Sequence, residues 1–113
     1  MLILDQKAFW KKPKGGILSS KQFLKEVMLL ISQSSRVYIG TDSMVRGDNC
    51  VFVTVIAFHD NNKKIAKFFY KKIKLENSKY RNLKNKIIEE VSLSMQAAQK
   101  ISNLSPNISI ELH

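Results

Sequence analysis

Three strand-like segments follow one another along the chain with only turns between them, and this succession constrains the fold more than any other feature. The segments cover about residues 36–41, 51–58 and 65–75, and β-branched and aromatic residues dominate them. A long helical stretch from about Lys79 to Asn103 comes next, and a further strand-like run begins at Ile108. Two antiparallel connections followed by a helical crossover predict an α/β fold with the long helix on one face of a mixed sheet.

The composition of the second and third segments predicts how each is placed in this sheet. The second is apolar almost throughout from Val51 to Phe58, which is typical of a strand covered on both faces. The third mixes aromatic residues with lysines, as an edge strand often does. We therefore expect coverage on both sides of the second segment and a sheet edge at the third.

The length of the chain, 113 residues, suits one domain with a modest core. Residues 1–18 are rich in lysine and contain a proline and paired glycines, so we expect a loose, basic N-terminal arm. Ser19 or Ser20 can cap a helix that ends near residues 32–35. The folded domain is therefore expected to span residues 19–113.

Basic residues outnumber acidic ones by nineteen to nine, which gives a formal net charge of +10. Most of the excess lies between residues 63 and 86, and a second group surrounds Phe9 and Trp10. Such a surface attracts polyanions and favours nucleic acid as the partner, although lysine is also a general solubilising residue. Phe9 and Trp10 could stack on bases or dock the arm on the domain, and we prefer docking. The residues expected to contact nucleic acid are Lys71, Lys72, Lys74, Lys79, Lys84 and Lys86.

The remaining composition argues against several other classes of protein. No apolar run reaches membrane-spanning length, and the first residues lack the cleavage pattern of a signal peptide. The single cysteine, Cys50, cannot form an internal disulfide and is compatible with a reducing cytoplasm. We therefore expect a cytoplasmic protein in which Cys50 has a structural role.

A carboxylate stands at the end of the first strand-like segment, where Asp42 follows the run Val37–Thr41. An ionised carboxylate on a buried strand must be paired, hydrogen-bonded or metal-bound, because its isolation from water carries a large free-energy cost. Asp42 and Ser43 are also common turn residues, so a simple turn is the alternative interpretation. Asp42 is therefore a candidate site residue, and its role depends on what lies near it.

The long helix contains the second candidate, Glu90. At 100° per residue, Glu90 lies on the border of an apolar stripe, and the adjacent Glu89 points to roughly the opposite side of the helix. We expect Glu89 to be solvated and Glu90 to face along the sheet, with an ion pair to Lys86 as the alternative role for Glu90. The stripe expected to face the sheet consists of Tyr80, Leu83, Ile87, Val91, Met95 and Ala98.

Asp42 and Glu90 together suit a divalent cation if the fold brings them close. Mg²⁺ and Mn²⁺ prefer carboxylate and water ligands, and they often use only one or two protein carboxylates plus substrate phosphates. Two such ions can activate a water molecule and stabilise the leaving oxygen during phosphodiester cleavage. The residue types fit this chemistry, while the spacing alone does not establish it.

Three stretches carry a resemblance to a known family: Tyr38–Ser43, Val51–Thr54 and Lys86–Ser94. From about Phe23 onward the chain resembles the YkuK-like family, a ribonuclease H-related group of predicted nucleases. The resemblance implies a ribonuclease H-like fold with a first metal-binding aspartate on the first strand and a glutamate on the first long helix. These positions correspond to Asp42 and Glu90 in this sequence.

The same resemblance implies a further aspartate at the end of the fourth strand. Glu111 and His113 match that strand, and the aspartate is expected about two residues beyond His113. Glu111 is a poor substitute because it lies too early on the strand. The domain is therefore expected to be truncated at its C-terminal end.

The leading hypothesis is a nuclease that hydrolyses phosphodiester bonds, with Asp42 and Glu90 as catalytic residues and as ligands of Mg²⁺ or Mn²⁺. The alternative is a nucleic-acid-binding or interaction module that keeps the fold without a complete active site. An open sheet edge could also pair with a second copy and form a homo-oligomer.

Overall fold

A computed structural model of the chain describes residues 10–34, 36–60, 65–76 and 80–113. Its elements are β1 (Lys11–Lys12), β2 (Gly16–Ile17), α1 (Ser20–Gln33), β3 (Arg36–Arg46), β4 (Asn49–Asp60), β5 (Ile65–Glu76), α2 (Leu83–Leu104) and β6 (Ser109–Leu112). Neither helix in the described part of the chain is long and apolar enough to span a bilayer.

The strands form a six-stranded mixed sheet in the order β2-β1-β5-β4-β3-β6. β3, β4 and β5 are an antiparallel meander, and Gly47, with a φ of 58°, makes the tight turn between β3 and β4. After α2 the chain returns as β6, which lies parallel to β3. The predicted α/β architecture of meander, crossover helix and fourth strand is therefore confirmed.

The described end of the N-terminal segment packs against the domain and is not a loose arm. β1 pairs with β2 and, through Lys11, with Tyr70 of β5, so β5 is not the outermost strand. The Trp10 ring stacks on Phe23 of α1 with 4.9 Å between ring centroids and an angle of 7° between the planes. Trp10 therefore docks the segment as expected, while Phe9 lies outside the described residues.

Both helices pack on one face of the sheet, which we call the covered face. α1 begins with a capping box, in which the Ser19 side chain accepts from Gln22 N–H and the Gln22 side chain accepts from Ser19 N–H. The main core joins residues of both helices to strand residues of the covered face. It comprises Trp10, Leu18, Phe23, Val27, Val37, Ile39, Ile56, Phe58, Phe69, Ala97 and Ile101.

The opposite side of the sheet, the open face, carries no helix in the described part of the chain. Side chains alternate along a strand, so the residues of β4 divide between the two faces. Phe52, Ile56 and Phe58 are buried on the covered face, while Val53 and Val55 of the open face are only half-buried. The expectation that both sides of this strand are covered is wrong for the described structure.

The predicted orientation of α2 is wrong for most of the expected stripe, because Tyr80 is buried and Ala98 partly buried but the other four residues are exposed. Leu93, Ala97 and Ile101 face the sheet, whereas Ile87 and Val91 of the expected stripe are about half exposed, at 49% and 55%. Apolar residues occupy an arc of roughly 220° on this helix at 100° per residue, which is wider than the sheet covers. Periodicity therefore located an apolar stripe but did not identify the stripe that meets the sheet.

Candidate functional site

Hydroxyl groups on β3 define which way Asp42 points. Thr41 Oγ1 lies 3.0 Å from Thr54 Oγ1 of β4 and 2.8 Å from Ser94 Oγ of α2, so Thr41 faces the covered side. Ser43 also faces α2, because its Oγ donates a hydrogen bond to Glu90 Oε2. Since side chains alternate along a strand, Asp42 lies between them on the open face.

Asp42 and Glu90 therefore approach the same point of β3 from opposite faces of the sheet. Glu90 is half-buried and is fixed by Ser43, the residue next to Asp42. The Asp42 side chain is exposed, and its Oδ1 accepts a hydrogen bond from Ser43 N–H at 2.9 Å. The structure thus brings the two predicted carboxylates to neighbouring positions, with the backbone of β3 between them.

This point of β3 lies just beyond its pairing with β6. The pairing runs from Arg36 opposite Ser109 to Ile39 opposite Leu112, and His113 N–H then donates to Ile39 O at 2.8 Å. The end of β6 also lies close to Gly40, where a Cβ would be 3.4 Å from the His113 carbonyl oxygen. Asp42 lies two residues after Gly40, beyond the last residue of β3 that pairs with β6, so β6 does not cover the edge of β3 there.

The donor chemistry of Asp42 and Glu90 fits Mg²⁺ or Mn²⁺, which take carboxylate oxygens and complete their shells with water and phosphate. Among the described residues there is no cluster of three or more His, Cys, Asp or Glu side chains that could hold a metal ion. Glu111 does not join the pair, because it lies opposite Tyr38 and pairs with Arg36 at 3.7 Å. The described chain therefore places two carboxylates, Asp42 and Glu90, near this end of β3 on opposite faces of the sheet.

Asp42 opens onto a groove of about 750 Å³ on the open face. Asp42 lies opposite Val53, and Val53 lies opposite Lys72, so the three residues form one row across β3, β4 and β5. The groove combines an apolar floor with basic groups. It is lined by Gly40, Thr41, Asp42, Ser43, Met44, Arg46, Val51, Val53, Val55, Lys72, Lys74 and His113.

This arrangement of meander, crossover helix and parallel fourth strand agrees with a family match. A model of the family described as ribonuclease H-like matches residues 20–113, from the first turn of α1 through β6. The chain belongs to the ribonuclease H-like family. No curated protein and no solved structure matches it at a significant level.

The described lysines among the six expected to contact nucleic acid do not form one surface of the ribonuclease H-like domain. Lys72 and Lys74 line the open-face groove beside Asp42. Lys71 points to the covered face, where its Nζ lies 5.7 Å from the centroid of the Trp10 ring. Lys84 and Lys86 lie in the first turns of α2, and Lys79 falls outside the described residues. Of the five described lysines in this set, only Lys72 and Lys74 line the groove that contains Asp42.

Sequence reasoning missed a buried acid of the ribonuclease H-like domain. Glu89, expected to be solvated, is only 6% exposed, and its Oε1 accepts a hydrogen bond from Tyr80 Oη at 2.7 Å. Its other oxygen, Oε2, is buried with no hydrogen-bond partner among the described residues. Burial, followed by the hydrogen bond to Glu89, raises the pKa of Tyr80 above its usual value.

Cys50 lies beside this pair, in a small cluster that also contains Phe52 and Leu93. Burial raises the pKa of the Cys50 thiol; the charge of Lys86 opposes this effect and that of Glu90 adds to it. A buried thiol with a raised pKa is a poor nucleophile. The geometry therefore agrees with the structural role expected for Cys50.

Proposed function

We propose that this ribonuclease H-like domain hydrolyses phosphodiester bonds of nucleic acid in a reaction that depends on Mg²⁺ or Mn²⁺. The observation that carries the proposal is the position of Asp42, an exposed carboxylate in a basic groove, one residue from the serine that holds Glu90. This chemistry requires carboxylate ligands for the metal ion, with basic side chains nearby that can bind the phosphates of the substrate.

Basic residues of the open-face groove support the binding of a nucleic-acid backbone. Lys72 and Lys74 project from alternate positions of β5, and Arg46 lines the same groove from the end of β3. Each can contact a phosphate, and together they offset the like-charge repulsion between Asp42 and the backbone. A strand held by these residues passes close to Asp42.

Asp42 and Glu90 have separate tasks in this proposal. Both would hold the divalent cation at the edge of β3 beyond its pairing with β6, Asp42 from the groove and Glu90 from the side of α2. When bound, the cation supplies an activated water molecule and stabilises the oxygen that leaves. Ser43 orients the Glu90 carboxylate through its hydrogen bond, so Ser43 is a positioning residue.

The test is cleavage of single strands, duplex DNA, and RNA/DNA hybrids, with Mg²⁺ or Mn²⁺ and with both removed by chelation. We expect metal-dependent cleavage by the wild type and its loss in Asp42→Asn and Glu90→Gln. Isothermal titration with Mn²⁺ should show weaker binding in both variants. Glu111→Gln is the matched control, because it removes a carboxylate that lies outside the pair. Equal metal affinity in all four proteins would refute the assignment of ligands.

A second candidate function is nucleic-acid binding without catalysis. It is favoured by one observation, that the two described carboxylates reach the strand edge from opposite faces of the sheet. This function predicts salt-sensitive binding with no metal-dependent cleavage at any protein concentration. The cleavage assay separates the two functions, because only the first predicts a product.

A further inference from the structure

The open face carries a second type of side chain next to its basic residues. Tyr38, His59 and His113 form a group of rings there. The Tyr38 and His59 centroids are 6.3 Å apart with the planes at 83°, and the Tyr38 and His113 centroids are 5.5 Å apart. Tyr70 belongs to the same face, because it lies opposite Val55 of the groove. Aromatic groups therefore occupy one end of the face and lysines the other.

Strand register places Asp42 at the boundary between these two ends. Tyr70 lies in the row of Val55 and Gly40, and the next row of this face contains Lys72, Val53 and Asp42. Residues two positions apart on a strand are separated by about 7 Å, and two strand spacings amount to about 10 Å. Tyr70 and Lys72 are thus neighbours, and Asp42 lies across the groove from Lys72.

An apolar floor with aromatic groups suits unpaired bases better than a duplex. In a duplex the base faces are stacked on one another, and the outer surface offers phosphates and groove edges. Unpaired bases expose their faces, which stack on aromatic side chains, while lysines follow the backbone. Ala57 and Val55 of β4 lie in the rows of Tyr38 and Tyr70, so they add apolar surface between the two tyrosines, where a phosphate would find no partner.

We propose that the open face binds single-stranded nucleic acid, with bases stacked on Tyr38 and Tyr70 and the backbone held by Lys72 and Lys74. The bound strand then crosses the groove beside Asp42. This inference names the substrate class and rests on the proposed function for the bond that reacts there. The binding itself does not require catalysis. A second copy of the chain is a poor occupant, since the formal net charge is +10 and lysines would face lysines.

Fluorescence anisotropy tests the proposal, with a labelled single strand of about 16 nucleotides and its duplex, and with divalent ions removed by chelation. We expect tighter binding of the single strand. Tyr70→Leu and Tyr38→Leu should each weaken it by roughly 5- to 150-fold, which is the usual effect of losing one stacked base. Tyr70→Phe keeps the ring and should retain most of the affinity. Met28→Ala removes an exposed apolar side chain from α1 and serves as the control.

Each other result would overturn the inference. Equal affinity for duplex and single strand would show that only charge is recognised. Leucine variants that bind as well as the wild type, while folded by circular dichroism, would show that the rings are not used. A third result would be that the chain associates with itself as its concentration rises, and that the leucine variants block this association but leave nucleic-acid binding unchanged. That result would identify the face as an interface between copies.

The same variants separate this inference from the proposed function. Tight single-strand binding without cleavage under any metal condition would leave the inference standing and refute the hydrolytic function. Metal-dependent cleavage of a hybrid duplex at a rate unchanged by Tyr38→Leu and Tyr70→Leu would support the hydrolytic function and refute the inference.

Discussion

Ser43 Oγ donates a hydrogen bond to Glu90 Oε2 and thereby joins β3 to α2 one residue away from Asp42. A second link, from Thr41 to Ser94, lies two residues back on the strand and four residues forward on the helix. Two residues of a strand span about 7 Å and four residues of a helix rise about 6 Å, so both links form without distortion. Because the two spacings agree, both hydrogen bonds can form together, and they hold the Glu90 carboxylate at the edge of β3.

The link between Ser43 and Glu90 predicts a measurable coupling energy. We expect Ser43→Ala and Glu90→Ala each to lower the free energy of unfolding by about 1 kcal/mol, because the hydrogen bond is charge-assisted and half-buried. In the double variant the losses should be less than additive by about 1 kcal/mol, as measured by urea denaturation. Strict additivity would show that the two side chains do not interact in solution.

The hydroxyl group of Thr41 is predicted to matter more than that of Thr54. Thr41 Oγ1 contacts both Thr54 and Ser94, which are 4% and 5% exposed, so its loss leaves two buried hydroxyls without this partner. Thr41→Val should cost about 2 kcal/mol of stability and Thr54→Val about 1 kcal/mol. Valine keeps the shape and strand preference of threonine, so urea unfolding reports the hydroxyl alone. Equal costs would contradict the central position of Thr41.

Lys71 and Lys72 are adjacent in sequence but lie on opposite faces, and we predict opposite results for their alanine variants. Lys72→Ala should weaken nucleic-acid binding and reduce the slope of log K against log salt by about 0.7, the value for one contact to a single strand. Lys71→Ala should leave that slope unchanged and alter the fluorescence of Trp10, whose ring its ammonium group approaches. An equal reduction of the salt slope in both variants would mean that nucleic acid does not bind to the open face in preference to the covered face.

Most of the fold could be predicted from the chain, because its long elements have strong local patterns. The meander is bounded by turn residues such as Gly47, and α1 follows a serine cap at Ser19. The β1–β2 hairpin was missed, since strands of two residues have no period to detect. Its position depends on Trp10 stacking on Phe23, which is a contact between distant parts of the chain.

The candidate site was predictable in its residue types but not in its geometry. Strand alternation, applied to Asp42 and Ser43, already implies that the two side chains point to opposite faces. The same rule separates Lys71 from Lys72. Nothing local indicates that Ser43 contacts Glu90, because that contact depends on how α2 is rotated on the sheet. The burial of Glu89 likewise depends on Tyr80, which precedes the helix and folds back to it.

The raised pKa of Tyr80 predicts that the protein loses stability at alkaline pH. Its pKa is raised in the folded state, so folding favours the protonated phenol. This contribution is fully present below the unfolded value of about 10 and is lost as the pH rises above it. Between about pH 10 and 11.5, wild-type stability should fall more steeply than that of Tyr80→Phe, by up to about 1.4 kcal/mol per pH unit. Parallel pH profiles from urea unfolding would show that Tyr80 does not titrate on unfolding.

The rotation of α2 can be tested with a matched pair of isoleucines. Ile101 is fully buried against the sheet, whereas Ile87 is 49% exposed on the face that the sequence pattern had assigned to the core. Ile101→Ala should cost about 2–5 kcal/mol, because it removes packed methyl groups and leaves a cavity. Ile87→Ala should change stability by no more than about 0.5 kcal/mol, since alanine also favours the helix. Both are measured by urea unfolding of the same chain. A larger loss of stability in Ile87→Ala than in Ile101→Ala would show that α2 has the rotation predicted from its periodicity. In that case Glu90 would not contact Ser43.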